Sequence, residues 1–174
     1  MARPMAALLR GALRALLHLG GDGAHSQGAG RRRGAMKLDL PWMDHPGTRA
    51  VTAALGRAHQ VYFVGGCVRN GLMGRPVDDI DIATDATPDQ VTALAEGAGL
   101  KPVPTGADHG TVTVVAGGRA HEVTTFRRDI ATDGRRAEVR FATDMAEDAA
   151  RRDFTINALY AAPDGTVHDP NGQG

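Results

Sequence analysis

The chain has 174 residues, of which 42% are hydrophobic and 23% charged, a composition typical of one globular domain. No uninterrupted apolar run approaches the ~20 residues that a membrane-spanning helix needs, so no membrane span is expected. The single cysteine, Cys67, excludes an intrachain disulfide framework and a zinc site built on paired cysteines, and it favours a reducing, cytoplasmic setting.

Charge is unevenly distributed along the chain, although the net charge is zero. Residues 1–35 hold six arginines against the single acid Asp22, whereas residues 36–174 hold 14 basic and 19 acidic side chains. A protein that wraps nucleic acid mainly through charge needs a basic excess. We therefore expect any polyanion to be held by a few placed arginines, by metal ions, or by sequence beyond this chain.

The first 35 residues are predicted to be an extension attached to the domain. Residues 5–19 are rich in Ala and Leu and favour a helix with Arg10 and Arg14 on one face, and residues 20–34 are rich in Gly, Ser, Gln and Arg. Two interpretations stay open: an arginine-rich transit peptide, or sequence upstream of a true start at Met36. The folded domain is expected over residues 36–174.

From Met36 onward, short apolar runs alternate with helical segments, which predicts an α/β or α+β domain. In chain order we predict a helix over 48–59, a strand over 61–64, a helix over 68–73, a strand over 77–83, a helix over 88–97, a hairpin of strands 111–116 and 119–126, a mobile loop over 129–137, and a helix from 144 to about 159. Thr87 and Gln90 form a capping box at the third helix, and Gly117-Gly118 form the hairpin turn.

Paired carboxylates lie in the segment VDDIDI. Residues two apart on a strand share a face, so Asp79 and Asp81 are expected to point the same way, with Cα atoms roughly 7 Å apart. Two such carboxylates can bind one or two hard divalent cations that also hold phosphate, which is a geometry for nucleotidyl transfer. Taken alone, the motif is weak, because an isolated DxD is more often a solvated acidic turn.

A glycine turn precedes this segment, in GGCVRNGLMGR. Gly65 and Gly66 follow a buried strand and begin a helix, so their backbone N–H groups can face a phosphate, with Arg69 beside them. The glycines are not followed by Lys-Ser/Thr and do not form GxGxxG, which excludes the usual phosphate loops. A purely structural turn is the alternative.

A third segment, RRDFTINAL, carries polar groups on the predicted last helix. Asp153 and Asn157 are expected one turn apart on one face, with Arg152 adjacent, a set that can hold the sugar and phosphates of a nucleotide. An ordinary solvated helix face is the alternative interpretation.

Together and in this order, the segments resemble the catalytic head of the class II CCA-adding enzymes (tRNA nucleotidyltransferases) and the related bacterial poly(A) polymerases. GGCVRNGLMGRPVDDIDIAT resembles the family's GGxVRD...GxxxxDxDxxT block, and RRDFTINAL resembles its second signature. The segments PTGADHGTVTVV and HEVTTFR are similar to the CCA-adding branch. The resemblance covers roughly residues 61–172.

The resemblance implies a DNA polymerase β-like nucleotidyltransferase fold, a small mixed sheet backed by helices. It also implies Mg²⁺-dependent addition of CCA to the tRNA 3′ end from CTP and ATP, with no membrane or protein partner. By similarity, Asp79 and Asp81 are the catalytic pair and bind the metal. The nucleotide-binding residues are by the same similarity Gly65, Gly66, Arg69, Arg152, Asp153 and Asn157, with the last two as partners of Arg152. Glu122 is a candidate third carboxylate, and a structural role is its alternative.

Two departures from the family pattern modify these expectations. Asn70 stands where the family has the Asp of GGxVRD, so a structural role is expected for it. The family continues into an ExxR-type segment that selects CTP and ATP and into helical domains that hold tRNA, and this chain shows neither, so we expect it to be a catalytic-head fragment. A poly(A) polymerase and a nucleotide-binding module without turnover are the alternatives.

Overall fold

The computed structural model describes residues 36–130 and 138–174, so the interpretations of residues 1–35 and 131–137 lie outside the described residues. The helices within the described ranges are α1 (Pro46–Leu55), α2 (Gly66–Leu72), α3 (Pro88–Gly97) and α4 (Met145–Ala150). The strands are β1 (Val61–Val64), β2 (Ile80–Thr84), β3 (Lys101–Gly106), β4 (Thr111–Ala116), β5 (Arg119–Thr125), β6 (Arg127–Ile130), β7 (Glu138–Phe141), β8 (Tyr160–Ala161) and β9 (Val167–His168). None of the helices described is long and apolar enough to cross a membrane.

Seven of the strands form one mixed sheet in the order β3-β4-β5-β2-β1-β8-β9. Strand β2 runs parallel to β5 and antiparallel to β1, and the other neighbours are antiparallel. Strands β6 and β7 form a separate antiparallel pair. The order places β2 at the centre of the sheet, between β1 and β5, and the predicted mixed sheet backed by helices is confirmed.

The two faces of β2 differ in character because successive side chains point to opposite sides of a strand. Ile80 and Ile82 are buried in the larger core, together with Phe63 and Val123, on the side where α1 and α3 contact the sheet. Full burial of each such large apolar side chain stabilises the fold by about 1.5–3 kcal/mol. Asp81, between the two isoleucines, therefore lies on the face away from these helices.

Local sequence signals correctly predict the start of α3 and the turn between β4 and β5. Thr87 Oγ1 accepts a hydrogen bond from the N–H of Gln90 at 3.4 Å, and Gln90 Oε1 accepts one from the N–H of Thr87 at 2.8 Å, which completes the capping box. Gly117 and Gly118 have φ values of 58° and 75°. Two positive φ values are the requirement of a type I′ turn, which joins β4 to β5.

Several predicted elements have different bounds in the structure. The helix predicted over 48–59 is α1 (Pro46–Leu55), and the helix predicted over 68–73 is α2 (Gly66–Leu72). Strand β2 begins at Ile80, not residue 77, because its parallel partner β5 begins at Arg119 and pairs His121 with Ile80. The predicted loop at 129–137 begins in strand β6, in which Asp129 pairs with Val139.

The predicted last helix is the largest error. Helix α4 ends at Ala150, and the chain continues through a 3-10 turn at Thr155–Asn157 into β8. Tyr160 pairs there with Val64 of β1 and is fully buried. Sheet pairing and burial of this segment outweigh its helical propensity.

Candidate active site

The predicted carboxylate pair lies at the start of the central strand. Asp81 is a half-buried residue of β2, and the exposed Asp79 directly precedes that strand. Burial raises the pKa of Asp81, and the negative charges of Glu122 and Asp79 raise it further, while Arg152 opposes them. The site thus concentrates negative charge that a cation would neutralise.

Glu122 lies directly beside Asp81 because strands β2 and β5 are parallel and pair these two residues. Its side chain is exposed, and its charge acts on the Asp81 carboxyl. Among the residues that the structure describes, however, no three carboxylate, imidazole or thiol groups converge closely enough to hold a metal together. The carboxylate oxygens of Asp79 and Asp81 are ligands of the kind that a hard divalent cation prefers, so these two residues fit such a cation.

The turn between β1 and α2 is the point where the candidate residues meet. Gly65 has φ 70° and ψ −125°, a conformation that L-residues with a side chain rarely adopt. A Cβ atom placed on Gly65 would lie 3.7 Å from Nη1 of Arg152 and 4.0 Å from both Oδ2 of Asp81 and the carbonyl oxygen of Asn157. Two chain segments distant in sequence, strand β2 and residues 152–157, thus converge on this glycine.

Arg69 projects from α2 and is fixed by two asparagines. Its Nη1 donates to Oδ1 of Asn157 at 2.8 Å, and its Nε and Nη2 donate to Oδ1 of Asn70 at 3.2 and 3.1 Å. Nδ2 of Asn70 donates in turn to the carbonyl of Pro76 at 3.1 Å. A Cβ on Gly66 would lie 3.8 Å from Nη2 of Arg69, so this guanidinium also adjoins the glycine turn. Asn70 thus makes the local hydrogen bonds expected of a structural residue.

Arg152 has different partners from those expected. Its Nε and Nη2 donate to Oδ2 of Asp148 at 3.1 and 2.9 Å, and Nε also contacts the hydroxyl of Tyr160 at 3.1 Å. Burial alone would lower the pKa of Arg152, but the interactions with Asp148 and Tyr160 together outweigh burial, and the pKa lies above its usual value. Sequence analysis missed Asp148 and Tyr160, although the four-residue spacing of Asp148 and Arg152 is typical of ion pairs near a helix end.

Asp153 and Asn157 do not share a helix face, so the expected pairing of both with Arg152 is wrong. Asn157 lies in the 3-10 turn and binds Arg69 instead. Asp153 is exposed, and its carboxylate has no hydrogen bond or ion pair with any residue in the described part of the chain. Helix α4 ends too early to align these two side chains.

The lone thiol does not contribute a nucleophile. Cys67 is buried, and its Sγ donates to the carbonyl of Val64 at 3.3 Å and lies 3.7 Å from that of Asp81. Burial raises its pKa to about 11, so the thiol is uncharged at neutral pH. Cys67 therefore packs beneath the glycine turn.

The chain is similar in sequence to a known protein family and to individual proteins. Residues 61–174 match the family described as poly A polymerase head domain. The chain is 49% identical over 121 residues to the CCA-adding enzyme of Oceanobacillus iheyensis, an alignment that covers 68% of this chain and 29% of that protein.

The fold is also similar to solved structures of a CCA-adding enzyme and a tRNA nucleotidyltransferase. The CCA-adding enzyme of Bacillus stearothermophilus in complex with CTP is 40% identical, with a TM-score of 0.66 over 78% of this chain and 31% of that one. A tRNA nucleotidyltransferase complexed with a primer tRNA and an incoming ATP analog is 29% identical, with a TM-score of 0.54 over 71% of this chain and 35% of that one. The chain thus spans about a third of the length of the relatives it matches.

Proposed function

Because the chain belongs to the poly A polymerase head domain family, we propose that residues 36–174 are the catalytic head of a CCA-adding enzyme. In this proposal the head transfers CMP and AMP from CTP and ATP to the 3′ end of tRNA and releases pyrophosphate. The names of its relatives support the reaction, and the complexes of related structures with CTP, and with primer tRNA and an ATP analog, support the substrates.

The observation that carries the proposal is the convergence at Gly65. Oδ2 of Asp81 and Nη1 of Arg152 lie 4.0 and 3.7 Å from its Cβ position, so an anionic and a cationic group face one small space. A metal–nucleotide complex has the complementary charges, since its cation needs carboxylates and its phosphates need cationic donors. The missing side chain of Gly65 leaves room for that ligand.

Each side chain has a proposed part in the reaction. Asp79 and Asp81 would bind Mg²⁺, because their oxygens are the ligands that this cation prefers. When bound, Mg²⁺ supplies charge neutralisation at the phosphates and activation of the RNA 3′-hydroxyl. Arg69 and Arg152 orient the phosphates beside Gly65 and Gly66, and the fixed position of Arg69 on Asn157 reduces the cost of ordering it. Asp153 stays a predicted nucleotide contact.

The proposal also concerns where the protein works. We place it in the cytoplasm, where tRNA is available and where a single reduced thiol, the buried Cys67, is stable. Cell fractionation followed by immunodetection tests this location. Recovery of the protein from an organelle would instead favour the transit-peptide interpretation of residues 1–35.

A nucleotide-incorporation assay tests the activity. The purified chain is incubated with Mg²⁺, a tRNA that lacks its 3′ CCA, and labelled CTP, ATP, GTP and UTP, separately and together. Ordered addition of C, C and A supports the proposal in full, and single additions without base preference support nucleotidyl transfer with base selection outside this chain. Long A tracts would show a poly(A) polymerase. Metal-dependent nucleotide binding without incorporation would show a binding module.

A further inference from the structure

Arg152 is held from one side only. Its Nε and Nη2 both contact Oδ2 of Asp148, whereas its Nη1 makes no hydrogen bond with any residue in ranges 36–130 and 138–174 and faces Gly65 at 3.7 Å from the Cβ position. A guanidinium is planar and rigid, so fixing two of its nitrogens also fixes the direction of the third. The contact with Asp148 therefore determines where Nη1 points.

Asp148 is itself fixed from three parts of the fold. Its side chain is almost fully buried, at 2% exposure, and belongs to α4. Oδ1 accepts from the backbone N–H of Arg127 in β6 at 3.0 Å, and Oδ2 accepts from the hydroxyl of Tyr160 in β8 at 2.7 Å. A carboxylate with this many donors has one orientation, which it transmits to the arginine.

Tyr160 completes the arrangement. It donates its hydroxyl proton to Asp148 and accepts from Nε of Arg152 at 3.1 Å, and its ring centre lies 5.5 Å from the guanidinium carbon. Tyr160 is fully buried and pairs with Val64, the residue before Gly65. The strand that carries the tyrosine is thus joined to the strand that leads into the glycine turn.

We propose that Asp148, supported by Tyr160, is a positioning residue that aims Nη1 of Arg152 at the phosphates of the incoming nucleotide. The inference rests on the proposed function, since it takes nucleotide binding at the Gly65 turn as given. Asp148 does not touch the substrate in this proposal and acts only through Arg152. Its contribution must therefore disappear when Arg152 is absent.

A double-mutant cycle tests this dependence. The dissociation constant of CTP with Mg²⁺ is measured by calorimetry for the wild type, Asp148→Asn, Arg152→Ala and the double variant. We expect Asp148→Asn to weaken binding about 10-fold or more, and the double variant to bind no more weakly than Arg152→Ala alone. Glu147→Gln is the matched control, because this neighbouring carboxylate is partly exposed and pairs with Arg128, so its replacement is expected to leave CTP binding unchanged.

Two further readouts separate positioning from loss of the fold. Tyr160→Phe keeps the ring and removes both hydrogen bonds of the hydroxyl, so we expect CTP binding to weaken about 3-fold while thermal unfolding stays cooperative. The Nε–H resonance of Arg152, followed by ¹⁵N NMR, is expected to be protected in the wild type, to shift on addition of CTP, and to lose protection in Asp148→Asn. This signal reports the contact even where no nucleotide binds.

The outcomes distinguish the two proposals. Unchanged CTP affinity in a folded Asp148→Asn variant, or losses that multiply in the double variant, would overturn the positioning role and leave the proposed function intact. Absence of nucleotide binding in the wild type would overturn the proposed function and this inference with it. A protected Arg152 resonance in Asp148→Asn would also contradict the positioning role.

Discussion

Replacement of Gly65 by alanine tests whether the glycine turn is the meeting point of the site. The backbone has φ 70° and ψ −125°, which costs a non-glycine residue about 1–3 kcal/mol. The nearest atoms to the new Cβ lie at 3.7–4.0 Å, an ordinary contact distance, so the cost in stability comes from the backbone and not from a clash. At about 2–4 °C per kcal/mol, we expect the melting temperature to fall by about 2–12 °C.

The same methyl group would occupy the space between Asp81 and Arg152. We therefore expect Gly65→Ala to weaken CTP binding at least about tenfold, which corresponds to about 1.4 kcal/mol. Gly74→Ala is the matched control, because Gly74 also has a positive φ, 65°, but no atom lies within 4 Å of its Cβ position. Calorimetric titration with CTP and Mg²⁺ measures both variants. Equal affinity of the two variants would refute the placement of the nucleotide at this turn.

Three further changes test other parts of the account. Asp81→Asn removes a half-buried charge that Glu122 and Asp79 repel, so we expect its melting temperature in the absence of divalent cations to exceed that of the wild type; a lower value would show that the carboxylates do not repel one another. His121 is fully buried between Thr48 and Val114, and burial lowers its pKa below 6.5. The unfolded chain takes up a proton as the pH falls through 6.5 and the folded chain does not, so stability falls by up to about 1.4 kcal/mol per pH unit. Urea midpoints from pH 7.5 to 5 are expected to decline less steeply in His121→Gln, and parallel profiles would contradict this assignment. Deletion of residues 1–35 is expected to leave the melting temperature nearly unchanged, and a large decrease would show that the extension belongs to the fold.

The sequence predicts those parts of the fold that local interactions determine. The apolar run at 61–64, the capping box at Thr87 and the glycine pair at Gly117 each specify their element within a few residues, and the structure confirms all three. The end of α4 could not be predicted in this way. It depends on the pairing of Tyr160 with Val64, residues 96 positions apart whose contact no local pattern reveals.

In the candidate site, too, the sequence predicts local features but not contacts between distant residues. The spacing of Asp79 and Asp81 and the glycine pair indicate a candidate region, because their geometry is set within a few residues, and Asp81 lies next to Gly65 in the fold. The partners of the two arginines could not be assigned, since Arg69 reaches Asn157 across 88 positions. The four-residue spacing of Asp148 and Arg152 could have indicated their ion pair. The burial of Asp148 depends on tertiary packing, however, and could not be predicted from that spacing.

Transfer of labelled CMP from CTP to a tRNA that lacks its 3′ CCA, under single-turnover conditions with Mg²⁺, is the most direct test of the central claim. We predict transfer by the wild-type chain, and a rate lower by on the order of 10³-fold in Asp79→Asn and in Asp81→Asn, because metal-held charge stabilisation is worth several kcal/mol in such reactions. Folded variants that keep the wild-type rate would contradict the claim that these two aspartates form the catalytic centre.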